Sequence, residues 1–320
     1  MGKKILLTNK GIHPFLAKSL EKIGYECHFD YTSSKTEIEE KIAGYYGVVM
    51  KSRFRADKTF FKAAKNLAFL ARVGVGFEHI DVKYAKKKGI EIILSPEGSR
   101  EAVGEHTMGL LLCLLNNLHK GDREIRDGKW IREPNRGVEI KGKKVGIIGF
   151  GNMGKSFAKR LGGFGAKVMA YDKYKEDYGK KYAKEVSLKT IFKESDIVSL
   201  HIPYDEHNHY FVDKAFLKKF KKPIYLINTA RGLVLNTKDV VRAMQKGKVL
   251  GVGLDVIEYE EQSFEAFKGK ELPEPFQYLI QADNAVLSPH IAGWTMESKL
   301  KHAETIVQKI KQLEYKKAIS

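Results

Sequence analysis

The stretch GIIGFGNMGKSFAKRLGGFGAKVMAYD, residues 146–172, decides how this chain is read. It carries glycines at 149, 151 and 154 and ends on Asp172. A lone G-x-G-x-x-G occurs in many glycine-rich turns, so its surroundings carry the weight. Residues 145–148 are a short apolar run of strand type, KSFAKRLGGFG reads as helix, and AKVMAYD as a second strand. Asp172 follows the third glycine at about the twenty-residue spacing of a dinucleotide-binding βαβ unit. Each glycine then has a task. Gly149 permits the tight turn, Gly151 lets the backbone approach a pyrophosphate, and Gly154 lets helix and strand pack closely. Asn152 and Met153 open the helix, whose unpaired N–H groups face the phosphates. Asp172 accepts hydrogen bonds from the ribose hydroxyls and repels a 2′-phosphate, which favours NAD over NADP. Lys173 and Lys175 beside it soften that preference without reversing it.

The 320 residues exceed one ordinary domain, so two are expected. The start MGKKILLTNKG reads as strand and turn, not as a secretory leader, and the most apolar run, GLLLCLLNNL, is far shorter than the ~20 residues of a membrane span. These features imply a cytoplasmic protein with no membrane partner. Cys27 and Cys113 sit in apolar neighbourhoods and form no disulfide framework. The net charge of +18 raises nucleic acid as a partner. The lysines are dispersed, as in YAKKKG and LKKFKK, and no nucleic-acid motif accompanies them, so nucleic acid is not expected.

Short apolar strands alternate with amphipathic helices, the mark of parallel α/β layers. Strands are expected at residues 5–7, 47–50, 68–71 and 90–93, then at 145–148, 167–171, 197–200, 224–227, 249–254 and 285–287. SPEGS, near residues 95–101, reads as a loop at the seam between domains. A long helix is expected over REAVGEHTMGLLLCLLNNLHKGDREIRDGKW, and a last one over about 297–317.

Three further motifs fall at strand ends, where an open α/β sheet binds its ligands. INTARGLV places Arg231 after one strand, GVGLDVIEYEE places Asp255 and Glu260 after another, and VLSPHIAGWT places His290 after the last. An arginine, a carboxylate and a histidine so placed can bind a carboxylate, polarise a carbonyl and move a proton. HIPYDEHNH brings His201, His207 and His209 together and could suggest a metal, but none is expected.

On these motifs the chain resembles the D-isomer-specific 2-hydroxyacid dehydrogenases, which include phosphoglycerate dehydrogenase and glyoxylate/hydroxypyruvate reductase. The resemblance covers about residues 48–298 and rests on LARVGVGFEHIDVKYAKKKGI, SPEGSREAVGEHTMG, GFGNMG, NTARG and SPHIAG. It implies a flavodoxin-like substrate domain (1–100 plus 295–320) and an inserted Rossmann domain (101–294). It also implies a cleft between them, NAD as cofactor, a homodimer formed through the nucleotide domains, and no appended regulatory domain. By resemblance, Arg231 binds the substrate carboxylate and polarises the 2-oxo group, and His290 is the general acid. Glu260 holds the imidazole and favours its protonated form, and the backbone N–H groups of Val75 and Gly76 hold the other carboxylate face. Asp255 would meet the nicotinamide carboxamide, with Thr107, Thr229 and Pro203 lining the cofactor.

Three departures from the family pattern stand out. Glu260 is followed by Glu261 and Gln262 where proline is usual, so Glu258 and Glu261 are rivals for its role. The segment between Glu260 and His290 is long, and Ser99 stands where asparagine is common. For the substrate, VVMKSRFRAD places Lys51, Arg53 and Arg55 together and Arg72 opens the neighbouring glycine loop. In the phosphoglycerate enzymes basic side chains matching Lys51 and Arg72 approach the phosphate. The reading is 3-phosphoglycerate and 3-phosphohydroxypyruvate, with glyoxylate or hydroxypyruvate as the alternative. A second class, a nucleotide-sensing corepressor-like binding protein, keeps the same fold.

Overall fold

The structure is a computed structural model that describes residues 2–179, 181–260 and 272–319. The chain divides into two compact units, Met1–Ser99 with Trp294–Ser320, and Arg100–Gly293.

The first unit is built on five parallel strands: β1 (Lys3–Leu7), β2 (Tyr25–Phe29), β3 (Gly47–Met50), β4 (Phe69–Arg72) and β5 (Glu91–Leu94). Their order, β2-β1-β3-β4-β5, is that of a flavodoxin-like sheet. Helices α1 (Phe15–Lys22), α2 (Lys35–Lys41), α3 (Lys58–Ala63) and α4 (Val82–Lys87) connect them. Asp57 and Asp81 cap α3 and α4 by accepting backbone N–H bonds, which fixes where each helix starts. One face of the sheet packs Ile5, Leu7 and Val49 against Leu16 and Leu20 of α1 and Ile306 and Ile310 near the C-terminus. Each aliphatic side chain so buried contributes about 1.5–3 kcal/mol.

Helix α5 (Pro96–Leu115) begins earlier than the sequence suggests. SPEGS is its first turn, not a loop. Pro96 has φ pre-set for a first helical position, and Gly98 is there for space, since a Cβ would stand 2.4 Å from the His302 ring. The expected long helix is also broken. Asn117 adopts a left-handed conformation (φ 52°), and a separate α6 (Leu118–Arg126) follows.

The second unit carries β6 (Lys144–Ile148), β7 (Lys167–Tyr171), β8 (Lys184–Glu185), β9 (Ile197–Leu200), β10 (Ile224–Asn228), β11 (Val249–Leu254) and β12 (Ala285–Leu287). All pair in parallel in the order β12-β11-β10-β9-β6-β7-β8. This is the doubly wound Rossmann order with one extra strand, and it reverses direction between β6 and β9. The connecting helices are α7 (Asn152–Leu161), α8 (Leu188–Glu194), α9 (Lys214–Lys218), α10 (Thr237–Gln245) and α11 (Glu274–Gln281). Leu110, Leu111 and Leu114 of α5 pack with Ile147, Phe157 and Ile227 on one face. The chain closes on α12 (Met296–Ile319), which belongs to the first unit.

Among the described residues the sequence reading lacks two strands. Both sit at sheet edges and carry charge: YECHF in β2, and the exposed Lys184–Glu185 pair in β8. No helix among the described residues is long and apolar enough to cross a membrane.

Candidate active site and cofactor site

The glycine turn sits at the carboxyl end of β6, at the switch point of the second sheet. Gly149 has φ 90° and lies against His201, whose carbonyl oxygen would be 2.5 Å from a Cβ there. At Gly154 a Cβ would meet the Gly149 carbonyl oxygen at 2.1 Å, so α7 can start this close to β6 only with glycine. Gly151 faces open space, its nearest neighbour being the Lys175 ammonium, and it immediately precedes Asn152 and Met153 in the first turn of α7. A bare backbone face at a helix N-terminus suits a pyrophosphate. Asp172 ends β7 and reaches back to the turn, accepting the Phe150 N–H at 2.8 Å with one oxygen and the Tyr174 N–H at 3.0 Å with the other.

Arg231 follows β10 in a loop held by Asn228, a buried residue whose side-chain oxygen accepts the Ala230 N–H at 3.0 Å and whose amide donates to the Arg231 carbonyl at 2.9 Å. The next residue, Gly232, packs directly on the segment after β11. A Cβ on it would lie 1.9 Å from the Ile257 carbonyl oxygen. That contact registers Arg231 against the stretch leading to Glu260.

Glu260 Oε2 lies 2.9 Å from His290 Nδ1, both side chains about one quarter exposed. Its rival Glu258 does something else: Oε2 accepts the Thr237 N–H at 2.8 Å, at the first residue of α10. Glu261, the other rival, lies outside the described residues.

His290 has a left-handed backbone (φ 55°), a conformation rare outside glycine that surrounding bonds must hold. Its N–H donates to the Asp255 carbonyl at 2.7 Å. The buried Asp255 carboxylate accepts the Ser288 hydroxyl at 2.6 Å and the Ile291 and Ala292 N–H groups at 2.9 and 2.8 Å. His106 Nε2 lies 3.3 Å from the same carboxylate and 2.9 Å from Ser288 Oγ. Burial alone raises an aspartate, but His106, Ser288 and the two amides outweigh it and hold Asp255 below its ordinary range. Both oxygens thus accept bonds from within the protein. Through these bonds Asp255 anchors the SPHIAG loop. His106 was not singled out from the sequence, because a histidine inside a helix carries no local signal.

Thr107 lies beside Thr229. It is fully buried and donates to Val103 O at 2.6 Å, with Thr229 Oγ1 at 3.0 Å, so it backs Thr229. Pro203 is exposed after β9, in a loop tied by Asn208 to the Pro203 carbonyl at 2.9 Å. His201 Nε2 pairs with Ser199 Oγ at 2.9 Å, and burial pushes its imidazole down to about 3. Among the described residues no three His, Cys, Asp or Glu side chains form a group that could hold a metal ion.

In the first unit, Lys51 follows β3 with its ammonium half-buried, 3.5 Å from the Gly11 carbonyl and 5.6 Å from the centre of the Trp294 ring. Burial, and Lys299 nearby, push it below the usual lysine value. Among the described residues no carboxylate lies within ion-pair distance of it. Arg72 ends β4, donates to Lys51 O at 3.3 Å and bonds the Gly76 carbonyl. Val75 and Gly76 form the loop it closes, and among the described residues neither N–H donates to another backbone group. Arg53 does not join this group. Its guanidinium is spent on the carbonyls of Thr8 and Asp30 at 2.8 and 2.7 Å, and on that of Ser33.

Residues 108–292 match the family model described as D-isomer specific 2-hydroxyacid dehydrogenase, NAD binding domain. The chain belongs to the D-isomer-specific 2-hydroxyacid dehydrogenases. It is an NAD-dependent enzyme of that family. It is 35% identical to hydroxypyruvate reductase of Thermotoga maritima, over 86% of this chain and 87% of that one. It is 32% identical to D-3-phosphoglycerate dehydrogenase of Archaeoglobus fulgidus over 94% of this chain, which spans 56% of that longer protein. The structure of D-lactate dehydrogenase from Aquifex aeolicus, with NAD and lactic acid, aligns at a TM-score of 0.81 and 28% identity, covering 97% and 94% of the two chains.

Proposed function

We propose that this dehydrogenase interconverts 3-phosphoglycerate and 3-phosphohydroxypyruvate, using Arg231, Glu260 and His290 for the chemistry and Lys51 and Arg72 for the phosphate. The residues at the glycine turn fit NAD, which when bound supplies or accepts the hydride at C2. Arg231 binds the C1 carboxylate and polarises the 2-oxo group, with the Val75 and Gly76 N–H groups on the other carboxylate face. With Nδ1 against Glu260, His290 delivers the proton to the oxygen at C2 from Nε2 as the carbonyl is reduced. Run in reverse, the same nitrogen takes the proton from the hydroxyl. Thr229 and Pro203 border the cofactor, and Asp172 takes its ribose hydroxyls.

The observation that carries the phosphate reading is Lys51, a half-buried ammonium that no carboxylate among the described residues neutralises. An ammonium taken out of water favours an anion beside it. A second reading, hydroxypyruvate or glyoxylate, is favoured by the diversion of Arg53 to backbone carbonyls, which leaves fewer cations for a phosphate. The test compares kcat/KM for phosphohydroxypyruvate, hydroxypyruvate and glyoxylate in wild type and Lys51→Ala. Under the proposal the phosphorylated acid leads, and Lys51→Ala removes about tenfold of that lead. No lead in the wild type selects the second reading.

The homodimer belongs to the same proposal. Helix α6 buries none of its residues, and Leu118, Ile125 and the following Trp130 are exposed. A second copy of this chain would cover them. Light scattering of the wild type and of Trp130→Asp checks this, a monomeric wild type refuting it.

A further inference from the structure

The cofactor turn, GFGNMG, has no cationic side chain of its own. A pyrophosphate bound there would meet backbone N–H groups only. The structure brings a cation from elsewhere. Asp172 accepts the N–H of Tyr174 two residues on, a local turn that swings the chain after β7 back toward the glycines. Lys175 then donates to the Phe150 carbonyl at 3.1 Å, and the Cβ that Gly151 lacks would lie 3.9 Å from the Lys175 ammonium. Phe150 is thus held by both its N–H and its carbonyl from one loop, through Asp172 and Lys175. The Lys173 ammonium lies 5.4 Å from the centre of the Tyr174 ring.

The surroundings are acidic. A hollow of about 490 Å³ beside the loop is lined by Asp172, Glu176, Asp177 and Glu185, with Lys175 as the one cation among its described lining residues. A pyrophosphate, with one negative charge on each phosphate, meets an acidic lining at this edge that an ammonium offsets.

We propose that Lys175 is a cofactor-binding residue whose ammonium pairs with the pyrophosphate of the bound dinucleotide. It is a flexible point charge already beside the first turn of α7, and the move from a carbonyl to a phosphate oxygen exchanges a neutral acceptor for a charged one. The assignment rests on the reading of this turn as the NAD site. It adds to the backbone cradle the charge that the fingerprint lacks.

The experiment titrates NADH, NADPH and adenosine into wild type, Lys175→Met and Lys175→Arg by fluorescence. In Lys175→Met the Kd for NADH and NADPH rises about tenfold, Lys175→Arg restores most of it, and adenosine binding is unchanged. The NADH defect shrinks toward about 0.5 M salt, where an exposed charge contact is screened. An NADH Kd within about twofold of wild type overturns the proposal. So does an equal loss for adenosine, which would mean that Lys175 only braces the loop through Phe150. An effect confined to NADPH assigns the lysine to the 2′-phosphate and overturns it as well. Wild type that fails to bind NADH refutes the reading of the turn itself, an outcome distinct from the others.

Discussion

Gly232→Ala is a sharp test of how the catalytic groups are registered. The added methyl would lie 1.9 Å from the Ile257 carbonyl oxygen, 2.2 Å from its carbon and 2.7 Å from the Glu258 nitrogen. All three are backbone atoms, so no side chain can rotate away, and the two segments must part by about 1 Å to reach the closest approach a methyl tolerates. Gly232 does not use a left-handed conformation, so the backbone itself accepts alanine. One segment carries Arg231 and the other leads to Glu260, which holds His290. Parting them misplaces the carboxylate-binding group relative to the proton donor. A misplacement of about 1 Å costs roughly a hundredfold in rate, and overpacking costs about 1–3 kcal/mol of stability. Steady-state kinetics on the preferred 2-oxo acid should therefore show kcat/KM down about a hundredfold, while NADH binding by fluorescence stays near wild type. The thermal midpoint should fall by several degrees, reporting the strain independently. A folded variant with kcat/KM within about threefold of wild type would refute the argument that this contact sets the geometry.

The two glutamates should separate cleanly. Glu260→Gln should change the pH profile of turnover, whereas Glu258→Gln, at the start of α10, should lower stability and leave that profile in place; the reverse pattern would reassign the pair. His290→Ala should cut turnover by orders of magnitude with NADH affinity near wild type, and near-normal turnover would remove His290 from the mechanism. Asp172→Ser should shift preference from NADH toward NADPH, since a carboxylate beside a 2′-phosphate is a like-charge clash, and a wild type that prefers NADPH would contradict this. Burial pushes His302 down to about 4, so it stays neutral in the folded state while the unfolded chain takes up a proton below about 6.5. Stability should therefore fall as pH drops from about 6.5 to about 4 and then stop falling on this account. Thermal midpoints of wild type and His302→Gln across that window check it, an identical slope in both refuting it.

The glycine turn, the strand ends and the order of the motifs were legible because they are local: a period of two, a glycine at a fixed offset, an acid at the end of the next strand. β2 and β8 were hidden because edge strands carry charge on purpose, as Glu26, His28, Lys184 and Glu185 do. SPEGS misled because a proline and a glycine usually mark a loop. Here the proline starts a helix, and the glycine answers a ring two hundred residues away, which no local pattern contains. Asp255 and Thr107 make bonds within the protein that the sequence reading did not contain. Hydrogen bonds to Ser288, Ile291, Ala292 and Thr229 arise only once the loops are folded together.

The first unit is made of two stretches of chain separated by the whole of the second, residues 100–293. Its sheet is fully synthesised by Leu94, but the side chains that complete one of its faces, Ala303, Ile306, Val307 and Ile310, come from α12. At about 5–20 residues per second, a ribosome leaves Ile5, Leu16 and Leu20 without that cover for tens of seconds. During that time most of the Rossmann unit is made. Vectorial synthesis thus leaves the split unit waiting with an open apolar face, the stage at which a nascent chain of this design most needs a chaperone.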